Sequence, residues 1–178
     1  YELSADRKTY SFRLRNGLKF DDGQPVRSAD CIASIRRWGA RDVMGRLMMQ
    51  RVDDFDAIDD RSFRMRLKEP YALVLDSLAK VSGAPCLMMR ESAARTDPNT
   101  ALTVSVGSGP FEHLPNESQP GAKIVYRRFA DYVARDEAEA EPTYTEIWHR
   151  CGTDDEVFIA DDQSSGTIEI VHRVLTTQ

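Results

Sequence analysis

Two short stretches in the first half of the chain alternate strictly between apolar and polar residues, and they constrain the fold more than any other feature. They are Thr9–Arg15 and Ser62–Lys68. Successive side chains of a β-strand point to opposite faces, so each stretch presents one apolar and one polar face. The sequence therefore predicts two half-buried strands in one small sheet. The residues predicted to face inward are Tyr10, Phe12, Leu14, Phe63, Met65 and Leu67.

A helix is predicted between these two strands, over residues 28–38. Ser28 is a residue type that caps helix N-termini by accepting a backbone N–H, and Ile32, Ile35 and Trp38 follow it at helical spacing. Gly39 is expected to weaken or end the helix. Because the two strands leave an apolar face to be covered, we expect the helix to pack on that face.

The remaining segments mix turn, helix and strand signals. Asn16-Gly17 is a turn signal, so Leu18–Phe20 is expected to pair back on the first strand, and Asp21–Pro25 reads as a loop. Further helices are predicted at 44–50, 71–80, 91–95 and 154–163, and further strands at 84–89, 111–114, 123–129, 146–150 and 167–171. This mixture predicts an α+β or mixed α/β architecture.

Charge and composition argue against several classes of function. The net charge of -5 is unsuited to sequence-independent nucleic-acid binding, and no apolar run is long enough to span a membrane. The cysteines Cys31, Cys86 and Cys151 are odd in number and far apart, which predicts neither a disulfide framework nor a zinc site. The chain begins at Tyr1 without a signal segment, so we expect an internal piece or a mature product.

Paired carboxylates recur along the chain but do not follow the spacing of a calcium loop. Solvated turn charges are the favoured interpretation, so no metal and no cofactor is predicted. The pairs are Asp21-Asp22, Asp53-Asp54, Asp59-Asp60, Asp154-Asp155 and Asp161-Asp162.

The run Gly107-Ser108-Gly109-Pro110 is the candidate functional segment. One interpretation is a backbone segment beside a ligand cleft, and the other is a tight crossover that needs positive φ with no ligand near. It is not a phosphate-binding loop, because no Lys-Ser/Thr pair follows the glycines.

Other polar and aromatic residues suggest function less strongly. Ser108 with His113 or His149 would suggest a serine hydrolase, but the sequence lacks the GxSxG turn. Trp38 and Trp148 could stack on a ligand, although their spacing favours packing in a core. The outward arginines of the two alternating strands favour a solvated sheet face over a positive stripe for a partner. They are Arg13, Arg15, Arg64 and Arg66.

Four segments, read in order, resemble the family 5 extracellular solute-binding proteins, which bind peptides, dipeptides and nickel. They are Tyr10–Pro25 with its continuation Ser28–Cys31, then Val52–Tyr71, Val106–Phe111 and Lys123–Tyr132. Thr145–Val171 follows the family more weakly. Asp22 departs from the pattern, since histidine is usual there. The link between Asp131 and Thr145 is short, and the stretch from Gly152 to Gly166 is more acidic than the family's helix there.

The resemblance implies the type II periplasmic-binding fold. Residues 1–106 would form the small α+β extra subdomain, and residues 107–178 would form part of the first lobe. It also implies the substrate-binding component, here a fragment, of an ABC transporter for peptides or similar small solutes. The location would be periplasmic or extracellular, the partners a solute and an ABC permease, and the protein no enzyme. Gly107–Pro110 would then lie near the cleft.

Two alternatives remain open at this point. The chain could be a stand-alone interaction or scaffold domain that has lost the ligand cleft, or a serine hydrolase. Self-association is also predicted, because Ile124–Tyr126 and Ile168–Ile170 resemble strands of a sheet whose other strands would lie in missing sequence. Open strand edges pair with another copy unless they are blocked.

Overall fold

The computed structural model describes residues 1–80, 83–103, 106–119 and 123–133, and the backbone of two later strands, 157–162 and 167–172. The chain divides into two compact units, Tyr1–Ser108 and Gly109–Gln178. Each contains one four-stranded antiparallel sheet. In the described part of the chain, no helix has the length and apolar character that crossing a membrane requires.

In its described residues, the first unit combines a sheet with four helices. The strands are β1 (Glu2–Leu3), β2 (Thr9–Arg13), β3 (Val52–Asp59) and β4 (Ser62–Leu67), in the order β1-β2-β4-β3. The helices are α1 (Ser28–Arg41), α2 (Val43–Arg51), α3 (Val74–Leu78) and α4 (Glu91–Ala94).

Pairing of the two alternating strands in one sheet is confirmed. β2 and β4 are antiparallel neighbours with Tyr10 opposite Met65 and Phe12 opposite Phe63. The rings of Phe12 and Phe63 stack with their centres 5.0 Å apart, and Phe63 and Met65 are buried. This cross-strand stack fixes the register, since a slip of one residue would turn every apolar side chain to solvent.

Packing of the first helix on this sheet is also confirmed. Cys31, Ile35 and Trp38 of α1 belong to the same buried cluster as the inward residues of β2, β3 and β4. Their spacing places them on one side of the helix. Ile32, predicted to face inward, is only partly buried at the margin of the cluster.

The predicted cap of α1 is wrong. Arg27 is the cap residue, and its N–H donates to Asp30 Oδ2 at 2.8 Å. Ser28 is the first helical residue, and its hydroxyl instead donates to the carbonyl of Asp59 at 2.5 Å. The Ser28 hydroxyl therefore binds the Asp59 carbonyl on β3 instead of capping its own helix.

Gly39 does not end the helix, because α1 continues to Arg41. Its role is close approach to α2. A Cβ added to Gly45 would lie 2.9 Å from Gly39 Cα and 3.1 Å from the Trp38 ring. Asp42 joins the two helices, and its carboxylate accepts the Gly45 N–H at 3.0 Å. The predicted helix at 44–50 is confirmed as α2.

The predicted hairpin with Leu18–Phe20 pairing back on the first strand is wrong. The Phe20 N–H donates to the Gln24 carbonyl, and the Val26 N–H donates to the Leu18 carbonyl. The short arm therefore folds across the Asp21–Pro25 loop, where Gly23 has a φ of +81°. β2 is already paired on both sides, with β1 and β4.

Two further predictions for the first unit are wrong in extent or type. The helix predicted at 71–80 is limited to α3, and Leu73 is 48% exposed. Tyr71 stays outside the helix, where Arg51 lies over its ring and its carbonyl accepts the Tyr10 hydroxyl. Residues 84–89 form no strand, because their backbone groups bind side chains of α1 instead of a neighbouring strand. The short helix predicted at 91–95 is confirmed as α4.

The second unit contains β5 (Phe111–His113), β6 (Lys123–Arg128), β7 (Val157–Asp162) and β8 (Thr167–His172), in the order β5-β6-β8-β7. The β5–β6 pair and the final strand are confirmed. The helix predicted at 154–163 is wrong, because residues 157–162 pair along β8 as a strand. The strand predicted at 146–150 lies outside the described residues.

The open edges predicted in the second unit are wrong. Ile124–Tyr126 lies in β6, which pairs with both β5 and β8, and Ile168–Ile170 lies in β8, which pairs with both β6 and β7. β5 and β7 supply the partners that were expected from missing sequence. Self-association stays a prediction, but these strands no longer support it.

A valine at position 45 tests the contact between α1 and α2. In Gly45→Val, the new side chain would meet the Gly39 backbone and the Trp38 ring. The backbone has no rotamer to change, and the ring is buried and held by its hydrogen bond to the Ala84 carbonyl. We expect a loss of about 2–3 kcal/mol in the free energy of unfolding, measured by urea denaturation. Arg46→Val places the same side chain at an exposed position of α2 and should change stability by about 0.5 kcal/mol or less. Equal stability of the two variants would contradict the close contact.

Thiol labelling tests the packing of two cysteines. Burial, reinforced by the Asp30 carboxylate, raises the pKa of Cys31 to about 12. Burial, with smaller contributions from Cys31 and Asp42, raises the pKa of Cys86 to about 12. The thiolate is the reactive form, so a Cys151→Ser chain should not react with Ellman's reagent at about pH 8 until denaturant is added. Rapid labelling of the native chain would show that these thiols are accessible.

The ion pair between Asp42 and Lys80 makes the stability of the folded chain depend on pH. The hydrogen bond from Lys80, then the one from the Gly45 N–H, lowers the pKa of Asp42. A carboxyl with a lowered folded pKa stabilises the folded state above its unfolded pKa, and this contribution disappears as pH falls through the folded value.

Asp42→Asn should therefore remove part of the fall in melting temperature between about pH 5 and pH 2. The amide keeps an oxygen for the Gly45 N–H but not the charge that Lys80 binds. Asp53→Asn changes an exposed carboxylate on β3 and should leave the fall as it is in the unmodified chain. Identical pH profiles for the Asp42 variant and the unmodified chain would exclude this contribution.

Candidate functional site

The segment Gly107–Pro110 is half-buried, and its first residue is held from two directions. The Gly107 N–H donates to Asp21 Oδ2 at 3.0 Å. The Gly107 carbonyl accepts the Asp21 N–H at 2.8 Å. Asp21 thus binds both backbone polar groups of one residue, Gly107, and sequence reasoning had treated Asp21 only as a turn charge.

The glycines of this segment are not needed for positive φ. Gly17, Gly23 and Gly83 have positive φ among the described glycines, whereas Gly107 and Gly109 do not. A Cβ at Gly107 would lie 3.8 Å from Asp21 Oδ2, an ordinary contact, and a Cβ at Gly109 would meet nothing within 4 Å. The interpretation as a crossover that needs positive φ is therefore wrong. Its role beside a ligand stays a prediction.

The segment also carries the backbone N–H groups of Ser108 and Gly109. Gly107 is held by Asp21, and the Pro110 carbonyl accepts the Phe129 N–H at 2.8 Å. Among the described residues, none accepts a hydrogen bond from the N–H of Ser108 or Gly109. A Cβ built on Gly109 would meet nothing within 4 Å, so there is open space on that side of its backbone.

The loop that carries Asp21 is itself well supported. Phe20 is fully buried, and the Arg90 guanidinium lies 5.4 Å from the centre of its ring. Arg90 also forms an ion pair with Asp22, whose carboxylate accepts the Gln24 N–H at 3.1 Å. Partial burial alone would raise the pKa of Asp22, but the hydrogen bonds from Arg90 and Gln24 outweigh it and lower the pKa.

At position 22 this chain has aspartate, where the family pattern identified from the sequence usually has histidine. The structure gives the departure a local explanation, because a carboxylate here neutralises Arg90 beside the ring of Phe20. Arg90 is far away in sequence and was not predicted to belong to the site. The doubled aspartate after Phe20 was the one available signal that this turn has polar partners.

His113 and Ser118 form a hydrogen-bonded pair, but its geometry opposes nucleophilic catalysis. His113 Nε2 lies 2.9 Å from Ser118 Oγ. The serine hydroxyl donates to the Leu114 carbonyl at 2.8 Å and accepts the Val125 N–H at 3.0 Å. The serine proton that a base would remove is directed at the Leu114 carbonyl, so the geometry does not favour His113 as its base. The pair instead closes the turn between β5 and β6; His149 lies outside the described residues.

A groove of about 500 Å³ lies among α1, β3 and the segment around α4. Ile32 and Phe55 provide apolar lining, and arginines stand among the lining residues. Arg37 donates to the carbonyls of Thr96 and Thr100, at 2.6 and 2.8 Å. Arg36 lies over the Phe55 ring and pairs with Asp54. These arginines hold the surrounding structure together, and the groove has no feature that identifies a ligand.

The remaining candidate residues are structural where they are described. Trp38 is buried and donates to the Ala84 carbonyl at 2.7 Å, so the prediction of core packing is confirmed for it, while Trp148 lies outside the described residues. Arg66 pairs with Asp54 and Asp56 across β3 and β4. Within the described ranges, no three His, Cys, Asp or Glu side chains are grouped as a metal ion would require.

The comparisons with known proteins agree with this fold. The family described as bacterial extracellular solute-binding proteins, family 5 Middle, matches residues 1–178, and the chain belongs to that family. A relative in Sinorhizobium fredii, the probable peptide ABC transporter periplasmic-binding protein y4tO, is 43% identical over 135 residues. That match covers 76% of this chain and 25% of the relative.

Solved structures share the type II periplasmic-binding fold. The binding protein AgaA of A. tumefaciens R10, in complex with agropinic acid, matches with a TM-score of 0.56 and 28% identity over 75% of this chain and 26% of its own. NikZ of Campylobacter jejuni, in complex with Ni(L-His), matches with a TM-score of 0.60 and 16% identity over 75% of this chain and 27% of its own. The chain therefore spans about a quarter of the length of these relatives.

Proposed function

We propose that this chain supplies the first-lobe portion of the solute-binding component of an ABC transporter, and that it works in the periplasm. Membership of the family supports the proposal, as does the name of the relative in Sinorhizobium fredii, a peptide-binding component. Residues 1–106 would be the extra subdomain and residues 107–178 part of the first lobe. An ABC permease would be the macromolecular partner.

The observation that carries the proposal is a pair of amides in the segment Gly107–Pro110 for which the described part of the chain offers no acceptor. Ser108 and Gly109 donate to no described residue, and a side chain at Gly109 would meet nothing within 4 Å. Backbone N–H groups of this kind suit the carbonyl or carboxylate oxygens of a peptide. A peptide or a similar small, oxygen-rich solute is therefore the proposed ligand class.

Binding requires surface on both sides of the solute, and small-molecule sites bury most of their ligand. A single lobe would cover one side only. We therefore propose that the 178-residue chain binds its solute weakly by itself, and that affinity develops when the remainder of a two-lobed protein closes over the segment. No catalytic step is proposed, because the His113–Ser118 pair has no base directed at a nucleophile.

A leucine at position 109 tests the proposal. In Gly109→Leu the side chain would enter open space, so the melting temperature should change little. The same side chain would occupy the proposed site, so we expect the full-length protein to bind tri-alanine at least tenfold more weakly in calorimetry. Gln50→Leu, an exposed position on α2, is the control and should bind as the unmodified protein does. Equal affinities for all three would exclude the segment from the site, and no binding at all would favour a scaffold domain without a cleft.

A further inference from the structure

Two hydrogen bonds join Asp21 to Gly107, and the two residues are 86 positions apart in the sequence. We propose that Asp21 is a positioning residue that holds Gly107, so that the next two amides, those of Ser108 and Gly109, are presented to the solute. This inference rests on the function proposed for the segment Gly107–Pro110. It adds a residue that need not touch the solute itself.

Asp21 can act in this way because its own loop is rigidly supported. The preceding residue, Phe20, is fully buried, and its carbonyl accepts the Gly23 N–H at 2.9 Å. The following residue, Asp22, is fixed by Arg90. Asp21 therefore has an anchored neighbour on each side, and its carboxylate is directed at Gly107 from a closed turn.

The chemistry of the contact favours a carboxylate. Hydrogen bonds from an N–H to an ionised oxygen are roughly twice as strong as those between neutral groups. The second bond, from the Asp21 N–H to the Gly107 carbonyl, survives any change of the side chain. Removing the side chain would therefore break the hydrogen bond to the Gly107 N–H and leave the backbone hydrogen bond in place. A loss of positioning can then be measured in a chain that is still folded.

The test uses the two-lobed protein that contains this chain, in two variants, Asp21→Ala and Asp21→Asn. Asp53→Ala is the control, because it removes a carboxylate elsewhere in the same unit. Hydrogen exchange of the amides of residues 106–109 is read by mass spectrometry with electron-transfer fragmentation. Tri-alanine binding is measured by calorimetry on the same samples. Asp21→Glu, which moves the carboxylate by one methylene, replaces the alanine variant if the latter does not fold.

In Asp21→Ala we expect the Gly107 amide to exchange roughly tenfold faster. Tri-alanine should bind about three- to tenfold more weakly, because the competent arrangement is less populated. Asp21→Asn keeps an oxygen acceptor and should stay within about threefold of the unmodified protein in both measurements. Asp53→Ala should change neither.

The outcomes separate this inference from the proposed function. Unchanged exchange at Gly107 in Asp21→Ala would overturn the positioning role, whatever the affinity. Faster exchange at Gly107 with unchanged affinity for tri-alanine would also overturn the positioning role, because the hydrogen bond from Asp21 would then have no effect on binding. If the unmodified protein fails to bind tri-alanine, the proposed function fails on this probe, while the exchange measurement still decides whether Asp21 holds Gly107.

Discussion

The first unit depends on one face of helix α1 that binds irregular backbone. Asp30, Ser34 and Trp38 lie four residues apart, so they line one side of the helix. Asp30 Oδ1 accepts the Glu91 N–H at 2.7 Å, Ser34 Oγ accepts the Met89 N–H at 2.9 Å, and Trp38 Nε1 donates to the Ala84 carbonyl. These three side chains satisfy backbone groups of Ala84 and Met89, which lie in neither helix nor strand, and of Glu91, the first residue of α4. Arg90, which supports the candidate site, lies in that same segment.

Sequence reasoning succeeded where the determining interaction is periodic. The alternation around Phe12 and Phe63 is a local property, and it was enough to predict the strands and the sheet they share. It failed at Ser28 and at residues 84–89 for the opposite reason. Ser28 binds the Asp59 carbonyl, and residues 84–89 bind side chains of α1, so in both cases the deciding partner is distant in the sequence.

The candidate site shows the same division. The unusual composition of Gly107–Pro110 was visible in the sequence, and so was the loop at Asp21. Their connection was not, because a hydrogen bond across 86 positions leaves no local pattern. The expected reason for the glycines was also wrong, since neither Gly107 nor Gly109 has positive φ. The missing side chain at Gly109 leaves open space beside the backbone. The sequence alone does not distinguish a glycine that leaves such space from a glycine that is needed for positive φ.

The order of strands in the first sheet has a consequence for aggregation. β1 and β3 occupy the edges of that sheet, and exposed edges are where sheets of different molecules join. β1 is only two residues long, too short to template another strand. β3 is longer but carries Asp53, Asp54, Asp56 and Asp59 along its length. Arginines pair with Asp54 and Asp56, so this edge is lined by charged side chains, which oppose pairing with a strand of another copy. The short first strand and the charged third strand therefore both oppose edge-to-edge association of the first sheet.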